Sequence, residues 1–254
     1  GVECVLSSLE ERDGRQHILN ETSTVSTQVL QHLPIDILGG HIPIGSDAMW
    51  TDISTRRQVD VRYVVLFREP LSRFISQFIF AKQLRNKPLS QTADVLLIVS
   101  EIQQSVQSKV KRGIRHEKLS NFLITPTQRN WVDRENVEWT IERRVNISKA
   151  NLVNNDVLIG AVEQMGDTLT MIQVMIDAGK KLGGAYEIFQ QPPKSGRHDH
   201  LTELVLEKVQ GSVVLHRLLK EYLKYEYSIY DYAMLLQKIQ VESILQGGNL
   251  KVME

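Results

Sequence analysis

Apolar positions along the chain fall into two patterns, short unbroken runs and longer stretches with three- and four-residue spacing. The run Tyr63-Val-Val-Leu-Phe67 is of the first kind and predicts a strand buried on both faces. Arg68 follows at its carboxyl end. Pro70 then opens a helix, where its missing N–H removes no intrahelical bond. Leu71, Phe74, Ile75, Phe78 and Ile79 form one apolar stripe on that helix, and Ser72 and Ser76, four apart, share one border of it. An arginine at a strand end and two hydroxyls on the next helix can therefore face one pocket, at the edge where open α/β sheets bind ligands.

The same patterns extend in both directions. Residues 1–12 fit the tail of a helix, Gln16 to Asn20 a short strand, and 22–33 a capped helix that Pro34 ends. Ile35-Asp-Ile-Leu38 predicts a strand, with Gly39-Gly-His41 a tight turn after it. Beyond the break at Asn86-Lys-Pro88, Val95, Ile98, Ile102, Val106 and Val110 mark a helix over 92–110. A basic segment, 109–118, and irregular chain over 119–136 come next. Glu138 to Ala150 reads as a helix, Asp156 to Gly160 as a buried strand, and Glu163 to Lys181 as a long amphipathic helix ended by Gly183-Gly184. A polar loop spans 190–200, and two or three helices run from Leu201 to about Gln246. Strands alternating with helices imply an α/β fold with a mostly parallel sheet covered on both faces and a helical C-terminal part.

Composition changes this picture little. The 254 residues are 42% hydrophobic and 24% charged, which suits one α/β domain over 1–246 with 247–254 as a frayed tail. Lysine plus arginine and aspartate plus glutamate are 30 each, so no net field attracts nucleic acid, and no aromatic-interleaved basic motif adds one. Cys4 stands alone, which excludes an internal disulfide and a cysteine-based zinc site. No run reaches the roughly 20 apolar residues of a membrane span. Asn20-Glu-Thr22 and Asn146-Ile-Ser148 match the N-glycosylation pattern and point toward a secretory route. The initial Gly1 suggests a fragment or processed product.

Leu66-Phe-Arg-Glu-Pro-Leu-Ser-Arg-Phe-Ile-Ser76 resembles the 3′-phosphate-binding motif of sulfotransferases, a strand ending in Arg-Asp-Pro with a helical serine eight residues after the arginine. Arg68 and Ser76 keep that spacing, and Glu69 stands where Asp is usual. The plainer reading makes Arg68 a salt-bridged structural arginine. Gly39-Gly-His-Ile-Pro-Ile-Gly45 resembles the histidine loop of membrane-anchored carbohydrate sulfotransferases, especially uronosyl 2-O-sulfotransferases, in which the histidine is the base. His41 is either that base or a histidine hydrogen-bonded in a turn. Asp156 to Leu169 is similar to a third block of the family, where Glu163 either belongs to the scaffold or orients a ligand or a basic side chain. Lys194-Ser-Gly-Arg-His198 sits where these enzymes carry a segment closing over the nucleotide, which makes Ser195 and Arg197 candidate donor contacts.

The resemblance implies a P-loop-like three-layer fold and an O-sulfotransferase that uses 3′-phosphoadenosine 5′-phosphosulfate, no metal, and a glycosaminoglycan-like acceptor. It implies a membrane-anchored parent on the lumenal side of the Golgi. Segment 109–118 and Arg143-Arg144 are candidates to receive a polyanionic glycan, or are solvated faces. One piece is missing: no Pro-Lys-x-Gly-like or Gly-x-x-x-x-Gly-Lys loop precedes residue 20 to hold the donor's 5′ side. The expectation is a sequence truncated at its N-terminus and poorly active as written. The rival readings are a non-catalytic relative binding a glycan or protein, and a nucleotide-dependent phosphotransferase.

Overall fold

The computed structural model describes residues 3–6, 35–39, 63–85, 92–125, 128, 140–154, 157–176 and 197–245. The chain divides into two compact units. One comprises Gly1–Tyr63 and Asn121–Val157, the other Val64–Ser120 and Leu158–Glu254. The expected helix at 22–33, strand at 16–20, break at 86–88 and tail at 247–254 lie outside the described residues.

In the first unit β1 (Glu3–Leu6) pairs in parallel with β2 (Ile35–Gly39), setting Cys4 against Ile37, Val5 against Leu38 and Leu6 against Gly39. The expected helix tail at 1–12 is therefore corrected at 3–6. Cys4, Val5 and Leu6 suit a strand once a partner satisfies their backbone groups, and pairing with a segment some thirty positions on cannot be read locally. Helix α4 (Ile141–Asn154) is capped by Thr140, whose hydroxyl accepts the Arg143 N–H at 3.2 Å. Its buried Asn151 donates to the Leu123 carbonyl at 2.6 Å and exchanges amide hydrogen bonds with Gln128. The glycosylation pattern 146–148 sits inside this helix, with Ser148 buried and its hydroxyl donating to the Arg144 carbonyl at 2.8 Å. That geometry withholds the tripeptide from a modifying enzyme once the chain has folded.

In the second unit β3 (Tyr63–Phe67) and β4 (Val157–Ala161) are neighbours in a two-stranded sheet. The expectation of a strand buried on both faces holds for β4, which is buried at every position. It fails for β3, where Phe67 is 2% exposed but Val64 and Leu66 are 37% and 53%. Successive side chains of a strand point to opposite faces, and only the Tyr63–Val65–Phe67 face of β3 is well covered. Gly160 marks a close approach: a Cβ there would lie 2.5 Å from Thr168 Cγ2 and 2.6 Å from Leu66 Cδ2.

Helices α1 (Pro70–Arg85), α2 (Thr92–Lys111), α6 (Arg197–Gly211), α7 (Val213–Tyr222) and α8 (Lys224–Leu245) make up most of this unit. Helix α5 (Met165–Ile176) completes the set, joined to β4 by a 3-10 turn, Val162–Gln164; the short helix α3 (Ser120–Leu123) lies, but for Ser120, in the first unit. The predicted stripes meet in one core: Leu71, Ile75 and Ile79 of α1 and Ile98, Ile102 and Val106 of α2 pack with Val205 and Val209 of α6 and Leu215 and Leu219 of α7. Helix α2 closes in a Schellman motif. The Ile114 N–H donates to the Lys109 carbonyl, the Gly113 N–H to Val110, and Gly113 takes the left-handed φ of 74° that this ending requires. The α/β class holds, and the sheet in each unit is two strands wide among the described residues. Residues 197–200, expected in a loop, are instead the first turn of α6. Among the described residues no helix is long and apolar enough to cross a membrane.

Candidate functional site

The site is built around the turn between β3 and α1. Arg68 leaves the carboxyl end of β3 and is partly exposed, and it has no ion-pair or hydrogen-bond partner among the described residues. The carboxylate-bound structural arginine is Arg73, one turn into α1. Ser76 sits in the second turn, also partly exposed, with its hydroxyl unbonded among the described residues. Its four-residue offset from Ser72 corresponds to about 6 Å of rise along the helix axis.

Glu69 fixes this turn. Its carbonyl accepts the Arg73 N–H at 2.9 Å, which makes it the N-cap of α1, and its Oε2 accepts the Ser72 N–H at 2.7 Å. The longer side chain thus does what an aspartate does at such a cap, and its negative charge suits the helix N-terminus. Two further groups hold Glu69. Its own N–H donates to Glu163 Oε1 at 2.9 Å, and Oε1 of Glu69 accepts the Tyr227 hydroxyl from α8. Burial pushes the Glu69 carboxyl up, but the Tyr227 hydroxyl and the Ser72 and Leu71 donors outweigh it and leave the carboxyl below its ordinary value. Burial and the same carboxylate push the Tyr227 hydroxyl up, so it stays a donor.

A second, more buried cluster supports the first. Glu226 of α8, with a side chain 0% exposed, pairs with Arg73 and accepts the His116 Nδ1–H at 3.1 Å and the Leu119 N–H at 3.0 Å. Burial, with Arg73, Lys118 and Lys109 nearby, pushes His116 down to about 3, so the ring is neutral at physiological pH and donates rather than pairing as a cation. Burial pushes Arg73 down to about 10, which still leaves it charged at neutral pH. His116 and Tyr222 pack edge-on against Phe74, and Arg115 bonds Glu221 at 3.0 and 2.6 Å. The basic segment 109–118 is therefore an ordered turn docked on the α7–α8 junction.

A family model described as "Sulfotransferase family" matches residues 44–233, about three quarters of the chain. The chain is a member of the sulfotransferase family. No curated protein and no solved structure matches it. As a sulfotransferase it transfers a sulfuryl group to an acceptor, and the matched span contains both Arg68 and Ser76.

Against the sequence expectations, this sulfotransferase places Arg68 and Ser76 on consecutive elements, as the spacing predicts. His41 and Ser195 lie outside the described residues. Arg197 is at the first position of α6. Glu163, expected to belong to the scaffold or to orient a ligand or a basic side chain, holds a backbone N–H at the Arg68 turn. Tyr227 and Glu226 escape a reading by sequence, because in the run 222–232 they look like ordinary positions of an aromatic-rich helix; a glutamate at an apolar-stripe position is the one available signal. Beyond Glu163 a cleft of about 410 Å³ opens at the carboxyl end of β4 between the 3-10 turn, α5 and α8. Tyr230 lines it, its hydroxyl pushed up by burial and by Glu163 and Glu69.

Tyr227→Phe deletes the hydroxyl and keeps the ring. It is expected to lower the unfolding free energy by about 1.5 to 3 kcal/mol, the usual worth of a hydrogen bond to a charged, partly buried group. Urea unfolding measures this, and an unchanged midpoint would show the contact to be dispensable.

Proposed function

We propose that this sulfotransferase moves sulfuryl from 3′-phosphoadenosine 5′-phosphosulfate to a hydroxyl of a glycan. The observation that carries the reading is Arg68, a guanidinium with no carboxylate on it among the described residues, held at a strand end by a capped and cross-braced turn. A free guanidinium fork suits a phosphate dianion, and Ser76 supplies a neutral donor two turns along α1. Because the Glu69 carboxylate fills the α1 N-terminus, the phosphate is held by side chains rather than by the helix end. These residues fit the donor's 3′-phosphate.

In the implied reaction His41 accepts the proton of the sugar hydroxyl. The hydroxyl oxygen forms a bond to sulfur while the bond from sulfur to the bridging oxygen breaks. The electron pair stays on that oxygen, and 3′-phosphoadenosine 5′-phosphate leaves. The membrane-anchored carbohydrate enzymes that the motifs resemble suggest a Golgi-lumenal parent with a glycosaminoglycan-like acceptor. Calorimetry with 3′-phosphoadenosine 5′-phosphate together with transfer of labelled sulfuryl to a glycan tests the reading. His41→Ala should abolish turnover while keeping nucleotide affinity. Surviving turnover puts the base elsewhere, and absence of nucleotide binding to the unsubstituted protein removes the donor assignment.

A further inference from the structure

The cleft at the end of β4 is lined unlike a site for an anion. Glu163 and Asp167 enter it from the 3-10 turn and α5, and Glu242 from α8; Lys238, 3.9 Å from Glu242, is the one cation among its described lining residues. Three carboxylates against one ammonium repel phosphate, sulfate and uronate groups. The cleft also holds hydrogen-bonding capacity that the protein does not use. Gln237 is 2% exposed and its buried Nε2 has no partner among the described residues, a costly state for an amide donor. The Tyr230 hydroxyl and the Asp167 carboxylate make no hydrogen bond among the described residues. Only Ala161, Met234 and Val241 of the ten described lining residues are wholly apolar, which is too few for a slot around a flat base. The volume is that of a small-molecule site.

We propose that this cleft binds a neutral or amino sugar unit of the acceptor. This rests on the glycan reading above and narrows it. Sugar hydroxyls both donate and accept, so they can bond to Asp167 and the free oxygen of Glu163 while accepting from Gln237 and Tyr230. A protonated amino group pairs with the same carboxylates. A uronate at this position places like charge on like charge. The acceptor unit in the cleft is thus a neutral hexose or hexosamine, and any acidic unit of the glycan lies outside it.

Saturation-transfer NMR titrations with methyl glycosides of glucose, glucosamine and glucuronic acid, and with adenosine, test the assignment. The first two are expected to bind, with the glucuronide about tenfold weaker or worse. Asp167→Asn, at an exposed position, should narrow that gap, and Gln237→Leu should weaken the neutral glycosides about tenfold, both without altering affinity for 3′-phosphoadenosine 5′-phosphate. If Gln237→Leu does not fold, Asp167→Asn carries the test alone. Glucuronide binding as tight as the neutral sugars, sugar binding indifferent to the substitutions, adenosine displacing the sugars, or no sugar binding at all each overturns the proposal. Failure of the donor reading is separately visible, as absent nucleotide binding in the unsubstituted protein.

Discussion

Arg68→Ala is expected to weaken 3′-phosphoadenosine 5′-phosphate binding about a hundredfold, on the order of 3 kcal/mol, with no loss of thermal stability. The affinity falls because two charge-assisted hydrogen bonds to a phosphate vanish with the fork that makes them. Stability is spared because the guanidinium has no ion-pair or hydrogen-bond partner among the described residues, so none is orphaned. Arg68→Lys keeps the charge but not the planar pair of donors and should recover only part of the affinity. Calorimetric titration of the three proteins, beside their melting curves, measures both halves. Equal affinity in Arg68→Ala would remove Arg68 from the donor site. A large drop in melting temperature would instead make it a structural residue.

Glu226→Gln should destabilise the helical unit strongly, by about 3 kcal/mol or more. The glutamine keeps the shape of the side chain but leaves the Arg73 charge, 19% exposed, without its counter-ion, and weakens the acceptor used by His116 and Leu119. A buried pair removed whole is less harmful than one removed by half, so adding Arg73→Leu to Glu226→Gln should restore part of the stability, the glutamine oxygen remaining as an acceptor for His116 and Leu119. Urea unfolding of both, with the single Arg73→Leu to complete the cycle, gives the coupling energy. A Glu226→Gln protein within about 0.5 kcal/mol of the parent would show that the ion pair contributes little.

What the sequence made legible is what depends on local pattern. The strand Tyr63–Phe67, the helix opened by Pro70 and the α1 and α2 stripes follow from spacing and from proline chemistry, and the structure has them within a residue or two. The Arg68–Ser76 spacing was visible for the same reason. What was not legible depends on partners far along the chain. Residues 3–6 become a strand only because 35–39 lie beside them. Whether Arg68 or Arg73 would be the salt-bridged arginine could not be read from two arginines five apart, since Glu226 decides it. Tyr227 looked like a packing residue because a hydroxyl contact leaves no periodic trace.

Helix α8 sets a timing constraint on the young chain. Tyr227 reaches back across 158 positions to Glu69, and Glu226 across 153 to Arg73. Contacts so distant in sequence close late, after the loop between them has been gathered. During synthesis from the N-terminus the Arg68 turn is therefore complete in sequence long before α8 can brace it. Until α8 has left the ribosome the nascent protein holds the Arg68 turn only by its local cap and, once synthesised, by Glu163, and a stop codon upstream of residue 224 would remove the Tyr227 and Glu226 braces for good.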